Sequence, residues 1–326
     1  MAGRFGMAGL GRAKSGSAGV KNGSMMFERT VQQSVRCSGI GLHTGKPVSA
    51  DIRPAEAGQG IRFRRIDLPG RPEIAARYDL GTDFTLGTTL RHPDGLASVA
   101  TVEHLMAALA GLGIDNAVIE VDGPEVPAVD GSAAPFAGLL RRAGLRTLGR
   151  PRRAIRILKT VSLTEGSKSV SLEPAESFSI TVNIDFDNPV IGRQTCTFAP
   201  ADDDFLTALA PARTFGLLHE VDWMRQQGLA LGGSLDNAIV INGNTVMNQD
   251  GLRFANEFAR HKALDALGDL ALAGAPLQGR FVGNRSGHAM NNRLLHALFA
   301  DDSAWEWAPV AARADLSDAP LAAVGL

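Results

Sequence analysis

Three side chains suited to metal binding recur at four-residue spacing in the segment 258–270. His261, Asp265 and Asp269 stand four residues apart among Ala and Leu. In a helix, this spacing places the side chains on one face. An imidazole and a carboxylate one turn apart are ligands that zinc accepts. The segment therefore predicts part of a divalent-metal site, although a charged helix stripe facing solvent would show the same spacing.

A second apolar segment far upstream offers another imidazole. Glu103 and His104 precede Leu-Met-Ala-Ala-Leu-Ala-Gly, which has a helical pattern. A catalytic zinc typically takes three protein ligands, and His104, His261 and Asp265 supply that number. Glu103 points about 100° away from His104 around the helix axis. We therefore predict Glu103 as a general base beside the metal; a structural interaction of its charge with the helix dipole is the alternative.

A third cluster surrounds His288, which follows Ser-Gly at a predicted helix start. The positive end of the helix dipole disfavours an imidazolium, so a carboxylate is needed nearby to keep His288 charged. We predict Asp130 as that partner. The residues alone thus indicate a metal-assisted hydrolase with a Glu base and a His acid.

Composition narrows the class of protein. The chain has 326 residues, which suits two domains. With 33 basic and 34 acidic residues, the net charge of −1 creates no field that would attract nucleic acid or anionic lipid. Cys37 and Cys196 give neither a disulfide framework nor a thiolate zinc cluster, which indicates a reducing compartment. No apolar run approaches the roughly 20 residues of a membrane span. We expect a cytoplasmic monomer that acts on a small molecule.

The order of predicted elements repeats along the chain. Alternating runs punctuated by Gly predict strands between Phe27 and Asp67. They are followed by a helix over 98–112, a strand over 116–121 and a helix over 134–143. After Pro151, strands are predicted at 154–157, 170–176, 179–186 and 280–283, with helices around His261 and from His288. This similarity between the halves indicates an internal duplication.

These elements predict an α+β fold. We expect two similar strand-helix domains packed as a sandwich, with the helices between the sheets and the metal site at their joint. The Gly39–Gly45 run leads into a strand and not a helix, which excludes a nicotinamide-binding loop. The basic segment 141–156 is predicted as a solvated connector, with a phosphate- or membrane-facing role as the alternative. The predicted limits are a disordered extension over 1–25, domain I over 26–150, domain II over 151–307 and a C-terminal tail over 308–326.

Several motifs together resemble one enzyme family. The carriers are Thr-Val-Glu-His-Leu-Met-Ala-Ala-Leu-Ala-Gly from Thr101, Arg-Thr-Phe-Gly from Arg213, Arg-His-Lys-Ala-Leu-Asp-Ala-Leu-Gly-Asp-Leu from Arg260 and Ser-Gly-His-Ala-Met-Asn-Asn from Ser286. From about Phe27 to about Trp307, the chain resembles the UDP-3-O-acyl-N-acetylglucosamine deacetylases (LpxC). The resemblance implies a hydrolase with one Zn²⁺ per chain. Its substrate would be UDP-3-O-(3-hydroxyacyl)-N-acetylglucosamine, from which it releases acetate in lipid A biosynthesis.

The resemblance also implies roles for individual residues. His104, His261 and Asp265 would bind zinc, and Glu103 would be the general base. His288, oriented by Asp130, would protonate the leaving amine. The Thr214 hydroxyl would assist at the oxyanion. Lys262 and Asp269 would complete the polar wall of the site.

Substrate contacts are predicted in the same way. By resemblance, Phe186 would stack on the uridine base, and Lys262 would meet substrate phosphate or sugar. The acyl chain would contact Leu42 of the Gly-Leu-His-Thr-Gly segment and Phe215, Leu218 and Val221, which we predict in helical register. Core packing of these apolar residues predicts the same spacing. The rival functions are a zinc amidohydrolase acting on another N-acyl substrate and a non-enzymatic sugar-nucleotide or lipid-binding module.

Overall fold

The computed structural model describes residues 25–310. The predicted N-terminal extension, except Met25, and the chain after Val310 lie outside the described residues. The helices are α1 (Glu103–Gly111), α2 (Ala134–Ala143), α3 (Phe205–Ala208), α4 (Leu218–Gln226), α5 (Glu257–Leu270) and α6 (His288–Phe299), with single 3₁₀ turns at Tyr78–Leu80 and Ala271–Ala273.

Strands fill most of the remaining chain in both halves. The first half contains β1 (Phe27–Val31), β2 (Val35–Ile40), β3 (Pro47–Pro54), β4 (Ile61–Arg65), β5 (Glu73–Ala75), β6 (Gly81–Asp83), β7 (Thr89–Arg91), β8 (Ser98–Val99), β9 (Ala117–Val121) and β10 (Leu145–Pro151). The second half contains β11 (Arg153–Ile157), β12 (Val161–Glu165), β13 (Lys168–Glu173), β14 (Ser179–Asp185), β15 (Arg193–Phe198), β16 (Phe215–Leu217), β17 (Ile239–Asn242), β18 (Thr245–Val246), β19 (Leu277–Gln278), β20 (Arg280–Asn284) and β21 (Trp305–Pro309).

Two five-stranded sheets share one topology. Their strand orders are β2-β3-β9-β4-β5 and β12-β13-β20-β14-β15. In each sheet, the pairs are antiparallel except for the pair of the third and fourth strands in that order, β9 with β4 and β20 with β14. In each half, a long helix precedes the central strand and another helix follows it. This correspondence confirms the predicted α+β fold with an internal duplication.

The helices lie between the sheets and supply the joint. Helix α1 packs along α5, and α5 also packs against α6 and against β14 and β15. Buried side chains from both halves form one apolar core, whose burial contributes about 25 cal/mol per Å². Its largest fully buried members include Phe63, Phe136, Phe198, Phe258 and Phe281.

One glycine allows the two central helices to meet. A Cβ atom built on Gly268 of α5 would lie 2.0 Å from the carbonyl oxygen of Glu103, at the start of α1. Real Cβ contacts are never that short, so only glycine permits this approach. The close contact brings the predicted metal ligands of α5 next to those of α1.

Three predicted elements differ from the structure. The helix expected from Ser98 begins at Glu103, because Ser98–Val99 pairs with β7 and Thr101 adopts a left-handed φ of 56°. The alternating run over 30–35, one of the strands predicted between Phe27 and Asp67, is interrupted after Val31, where β1 ends, and β2 begins only at Val35. Phe215 lies in strand β16, paired with β17, so its predicted helical register with Leu218 is wrong.

One predicted helix and the end of domain II can be located in the structure. The predicted helix over 134–143 is confirmed as α2. Ala308 and Pro309 pair with β11, so strand structure continues two residues past the predicted end of domain II. The domain limits themselves stay a prediction. Within residues 25–310, no helix is long and apolar enough to cross a membrane.

Candidate metal-dependent active site

Three ligand atoms from two helices converge in the core. The metal-binding atoms of His104, His261 and Asp265 all lie within 4.8 Å of one another, and all three residues are buried. The Asp265 Oδ1 atom lies 3.3 Å from His261 Nε2 and 3.5 Å from His104 Nε2. His104 comes from the first repeat and the other two from the second, so the site forms only where the repeats meet.

The protonation states of this triad suit a cation. The Nδ1 atom of His261 lies 3.1 Å from the carbonyl oxygen of Ala212, which favours Nδ1–H as donor and leaves Nε2 free as a ligand. Burial lowers the pKa of His261 to about 3 despite the attraction of Asp265, so the ring is neutral at pH 7. Burial opposes the charge of Asp265, but the positive charge of Lys262 beside it holds the pKa of this carboxyl well below its usual range.

One buried oxygen atom tests whether the residues fit a metal. The Asp265 Oδ1 atom is buried and has no hydrogen-bond partner among the described residues. A buried polar atom without a partner is costly. A cation placed between Oδ1 and the two Nε2 atoms would satisfy it, and two imidazoles with one carboxylate are a typical catalytic zinc set. The residues therefore fit a zinc ion.

Glu103 lies at the first turn of α1, beside this triad. Its Oε2 atom accepts a hydrogen bond of 2.9 Å from the Thr88 backbone N–H. A Cβ atom on Gly87 would lie 2.7 Å from Oε1, so the absence of a side chain there makes room for the carboxylate. Burial raises the pKa of Glu103, with His288 and His104 opposing the shift. A carboxylate with a raised pKa is suited to accept a proton near neutral pH.

His288 begins helix α6 and faces the same centre. Its Nε2 atom lies 4.0 Å from Glu103 Oε1 and 3.9 Å from Asp265 Oδ2. Its Nδ1 atom lies 2.9 Å from Asp269 Oδ2. Burial alone lowers the pKa of His288, but Asp269, Glu103 and Asp265 outweigh it and raise the pKa to about 10. The imidazole is therefore protonated at pH 7.

The predicted pairing of His288 with Asp130 is wrong. Asp130 lies at the start of the turn before α2, where Oδ1 accepts hydrogen bonds from the N–H and hydroxyl of Ser132. Its Oδ2 atom pairs with Arg253 at 3.0 Å. The carboxylate that meets His288 comes from Asp269, because two turns of α5 separate Asp269 from His261 and place it beside the start of α6.

Asp269 is itself held by buried donors. Its Oδ1 atom accepts a 2.6 Å hydrogen bond from the Thr88 hydroxyl, and its Oδ2 atom accepts one of 2.9 Å from the Asn291 side chain. Thr88 thus contacts both Glu103 and Asp269. Thr88 was not predicted from the sequence, since a Thr just before a short strand carries no motif. Asn291 stood within the motif around His288, where its spacing of three residues was the available signal.

Thr214 and Lys262 lie in segments that contact the triad residues. Thr214 comes two residues after Ala212, whose carbonyl oxygen contacts His261. It follows Arg213, whose side chain forms a buried ion pair with Glu257 at the start of α5, with Nε and Oε1 2.9 Å apart. This pair fixes the segment with Thr214 relative to the helix with the predicted metal ligands. The Lys262 Nζ atom lies 2.8 Å from Asp265 Oδ2, and this pairing raises the pKa of Lys262 against the effect of burial.

A cavity of about 260 Å³ opens beside Thr214. Its walls are mostly apolar and include four predicted substrate contacts, together with His43. Phe186 is 37% exposed just after β14, and its ring centroid lies 5.6 Å from that of Phe215. The predicted contacts in the wall are Leu42, Phe215, Leu218 and Val221.

The duplicated fold and this site define a class. Two imidazoles and a carboxylate surround a place for a cation, and a buried carboxylate and a protonated imidazole lie beside it. Such a set is typical of metal-dependent hydrolases.

Comparisons with known proteins specify the family. The family model described as "LpxC: UDP-3-O-acyl N-acetylglycosamine deacetylase" matches residues 28–300. Proteins named UDP-3-O-acyl-N-acetylglucosamine deacetylase are similar over most of their length. The one from Stenotrophomonas maltophilia is 47% identical over 87% of this chain and 93% of its own, and the one from Acidithiobacillus ferrooxidans is 49% identical over 89% and 95%. The chain belongs to the LpxC family, as its motifs indicated.

Proposed function

We propose that this protein is a zinc-dependent deacetylase of lipid A biosynthesis. It removes the N-acetyl group from UDP-3-O-(3-hydroxyacyl)-N-acetylglucosamine and releases acetate and the free amine. The observation that carries the proposal is the convergence of His104, His261 and Asp265 beside Glu103 and His288 in a chain of this family.

Zinc is the metal that the donor set favours. Two imidazoles and one carboxylate make a borderline set, whereas magnesium and calcium prefer oxygen ligands. When bound, zinc supplies Lewis acidity that polarises the amide carbonyl and makes water more acidic. The cofactor stays part of the proposal, and His104, His261 and Asp265 are its proposed ligands.

Glu103 acts as the general base. Its carboxylate lies among the ligands and is held through Oε2 by the Thr88 N–H, so Oε1 faces the centre of the site. In the reaction, it accepts the proton of the attacking water. Its raised pKa makes it a stronger base than an exposed Glu.

His288 acts as the general acid. Its protonated ring donates a proton from Nε2 to the nitrogen of the breaking amide bond, while Nδ1 donates to Asp269. Asp269 keeps the ring charged and oriented. The amide nitrogen already carries one hydrogen, so the proton from His288 lets it leave as the free amine when the C–N bond breaks. The acetate product carries the oxygen from water.

Two further residues stabilise charge in the site. The Thr214 hydroxyl is proposed to donate a hydrogen bond to the oxygen that becomes negative during attack. Lys262 lies between Asp265 and the ring of Phe215, with Nζ 5.7 Å from the ring centroid. This position suits contact with a sugar or phosphate oxygen.

The cavity beside Thr214 is proposed to hold the acyl chain. Its apolar wall includes Leu42, Phe215, Leu218 and Val221, and Thr214 lines the same cavity. Phe186 is exposed on the neighbouring strand end and offers a ring face to the uracil base. A cytoplasmic location and a monomeric state stay predictions.

Metal analysis of the purified protein together with an acetate-release assay tests this function. We expect one zinc per chain and acetate release from the acylated UDP-sugar that exceeds release from the unacylated one. Equal rates on both would favour an amidohydrolase acting on another N-acyl substrate. Absence of both zinc and acetate release would favour the binding module.

A further inference from the structure

Glu125 is a buried carboxylate outside the metal site. Glu125 lies between β9 and α2 and is 1% exposed. It accepts hydrogen bonds from the backbone N–H groups of His43 and Thr44, at 2.9 and 3.1 Å, and from the hydroxyls of Thr44 and Thr101, both at 3.1 Å. These donors belong to two separate segments, so one carboxylate joins them.

The first segment is the loop over residues 41–46, which covers part of the substrate cavity. Leu42 and His43 line that cavity together with Thr214. The carbonyl oxygens of Leu42 and His43 accept hydrogen bonds from the backbone N–H groups of Gly232 and Leu231 in the second repeat. The 41–46 loop therefore spans the joint between the repeats at the mouth of the site.

The loop is built to bring its backbone onto Glu125. A Cβ atom on Gly41 would lie 2.5 Å from Glu125 Oε2 and 2.4 Å from the Thr44 hydroxyl oxygen. A larger residue at 41 would displace the carboxylate. Both carboxyl oxygens of Glu125 accept hydrogen bonds, whereas an amide offers only one acceptor oxygen, so Glu125 holds the loop more firmly than an amide would.

The second segment leads directly into α1. Thr101 has a φ of 56°, a region that β-branched residues rarely adopt, and precedes Glu103 by two residues. Its hydroxyl donates to Glu125 Oε1. The carboxylate is thus anchored at the start of the helix that carries Glu103 and His104.

We propose that Glu125 is a positioning residue for the deacetylase reaction. It fixes the 41–46 loop at a set place relative to α1, so that Leu42 and His43 stay in the wall of the substrate cavity. It touches neither the substrate nor the ligands itself. This inference rests on the proposed function and adds a residue that governs substrate binding within it.

The test is Glu125→Gln. Glutamine keeps the size of the side chain, but its NH₂ group replaces one acceptor oxygen and would face the N–H and hydroxyl donors of the loop. We expect KM for the acylated UDP-sugar to rise about tenfold, while kcat changes less than about threefold and zinc content stays that of the parent. Hydrogen exchange of the His43 and Thr44 amides should become at least tenfold faster. Parent-like exchange at these amides, or a KM within twofold of the parent, would overturn the proposal.

Thr44→Val provides the second variant, in case Glu125→Gln does not fold. It removes one hydroxyl from the loop and leaves the carboxylate in place. We therefore expect a smaller rise in KM and a smaller increase in the hydrogen exchange of the loop amides. Thr44→Ser keeps the hydroxyl and should restore the parent KM. A Thr44→Val protein with parent KM and parent exchange would contradict the inference.

Glu120→Gln is the matched control. Glu120 on strand β9 is also a mostly buried carboxylate of the first repeat, but it pairs with Arg53 of β3 and Arg64 of β4. The Glu120→Gln replacement should leave KM and the hydrogen-exchange rates of the 41–46 loop amides unchanged. If the parent releases no acetate, the proposed function fails, whereas the exchange measurements still decide whether Glu125 holds the loop.

Discussion

At the scale of single residues, the proposed function assigns one set of groups to hold a cation and another set to move a proton. His104, His261 and Asp265 present lone pairs toward one point, and burial keeps His261 neutral for that task. Glu103 Oε1 and His288 Nε2 lie 4.0 Å apart. Their pKa values are shifted by burial and neighbouring charge, as general acid-base chemistry requires.

Glu103→Gln tests the base. The amide keeps the size of the side chain but cannot take a proton, so we expect kcat to fall by about 10²–10⁴ while zinc content is unchanged. Steady-state kinetics and metal analysis of the same preparation provide the two readouts. A variant that binds zinc and deacetylates at the parent rate would show that Glu103 is not the base.

Asp269→Asn tests the acid through the pH profile. The His288 ring must be protonated to act, so activity is lost as the pH rises through its pKa, which Asp269 helps to raise to about 10. Removal of this carboxylate lowers the pKa, and the alkaline limb of the profile should move to lower pH. The acid limb is set by Glu103, because the enzyme becomes active as this residue loses its proton. Burial raises the pKa of Glu103.

Asp130→Asn is the control for that experiment. Asp130 pairs with Arg253 and not with His288, so its replacement should leave the alkaline limb in place. If the limb moved in Asp130→Asn and stayed in Asp269→Asn, the assignment of the His288 partner would be reversed.

At the scale of elements, the close contact of α1 and α5 sets the distance between the ligands. Gly268→Ala would put a Cβ atom 2.0 Å from the Glu103 carbonyl oxygen, so the helices must separate. We expect a loss of about 1–3 kcal/mol in the free energy of unfolding, measured in urea, and a lower kcat. Gly138→Ala in α2 is the control, because its Cβ would make only an ordinary 3.6 Å contact with Arg142 and alanine favours helices. Parent stability and rate in Gly268→Ala would contradict this role.

The sequence predicted those elements whose signals are local. The helices around His104, His261 and His288 followed from apolar periodicity, and the ligands followed from four-residue spacing on one of them. The pairing of His288 with Asp269 could not be predicted in this way, because it depends on how two helices of the second repeat pack. Thr101 and Thr88 were also missed, since strand pairing and a left-handed backbone at the start of α1 depend on the tertiary structure.

At the scale of the whole molecule, the duplication explains why the site lies where it does. Each repeat contributes a sheet with one covered face, and the two long helices meet between them. Neither repeat contains a complete ligand set, because His104 belongs to the first and His261 with Asp265 to the second. Function therefore depends on correct docking of the two repeats.

Zinc content of two single variants tests this account most directly. His104→Ala removes the ligand of the first repeat, and His261→Ala removes one from the second. We expect one zinc per chain in the parent and a loss of zinc from either variant after dialysis, measured by mass spectrometry of the metal on folded protein. Full zinc retention in either variant, with parent affinity, would contradict a shared site at the joint.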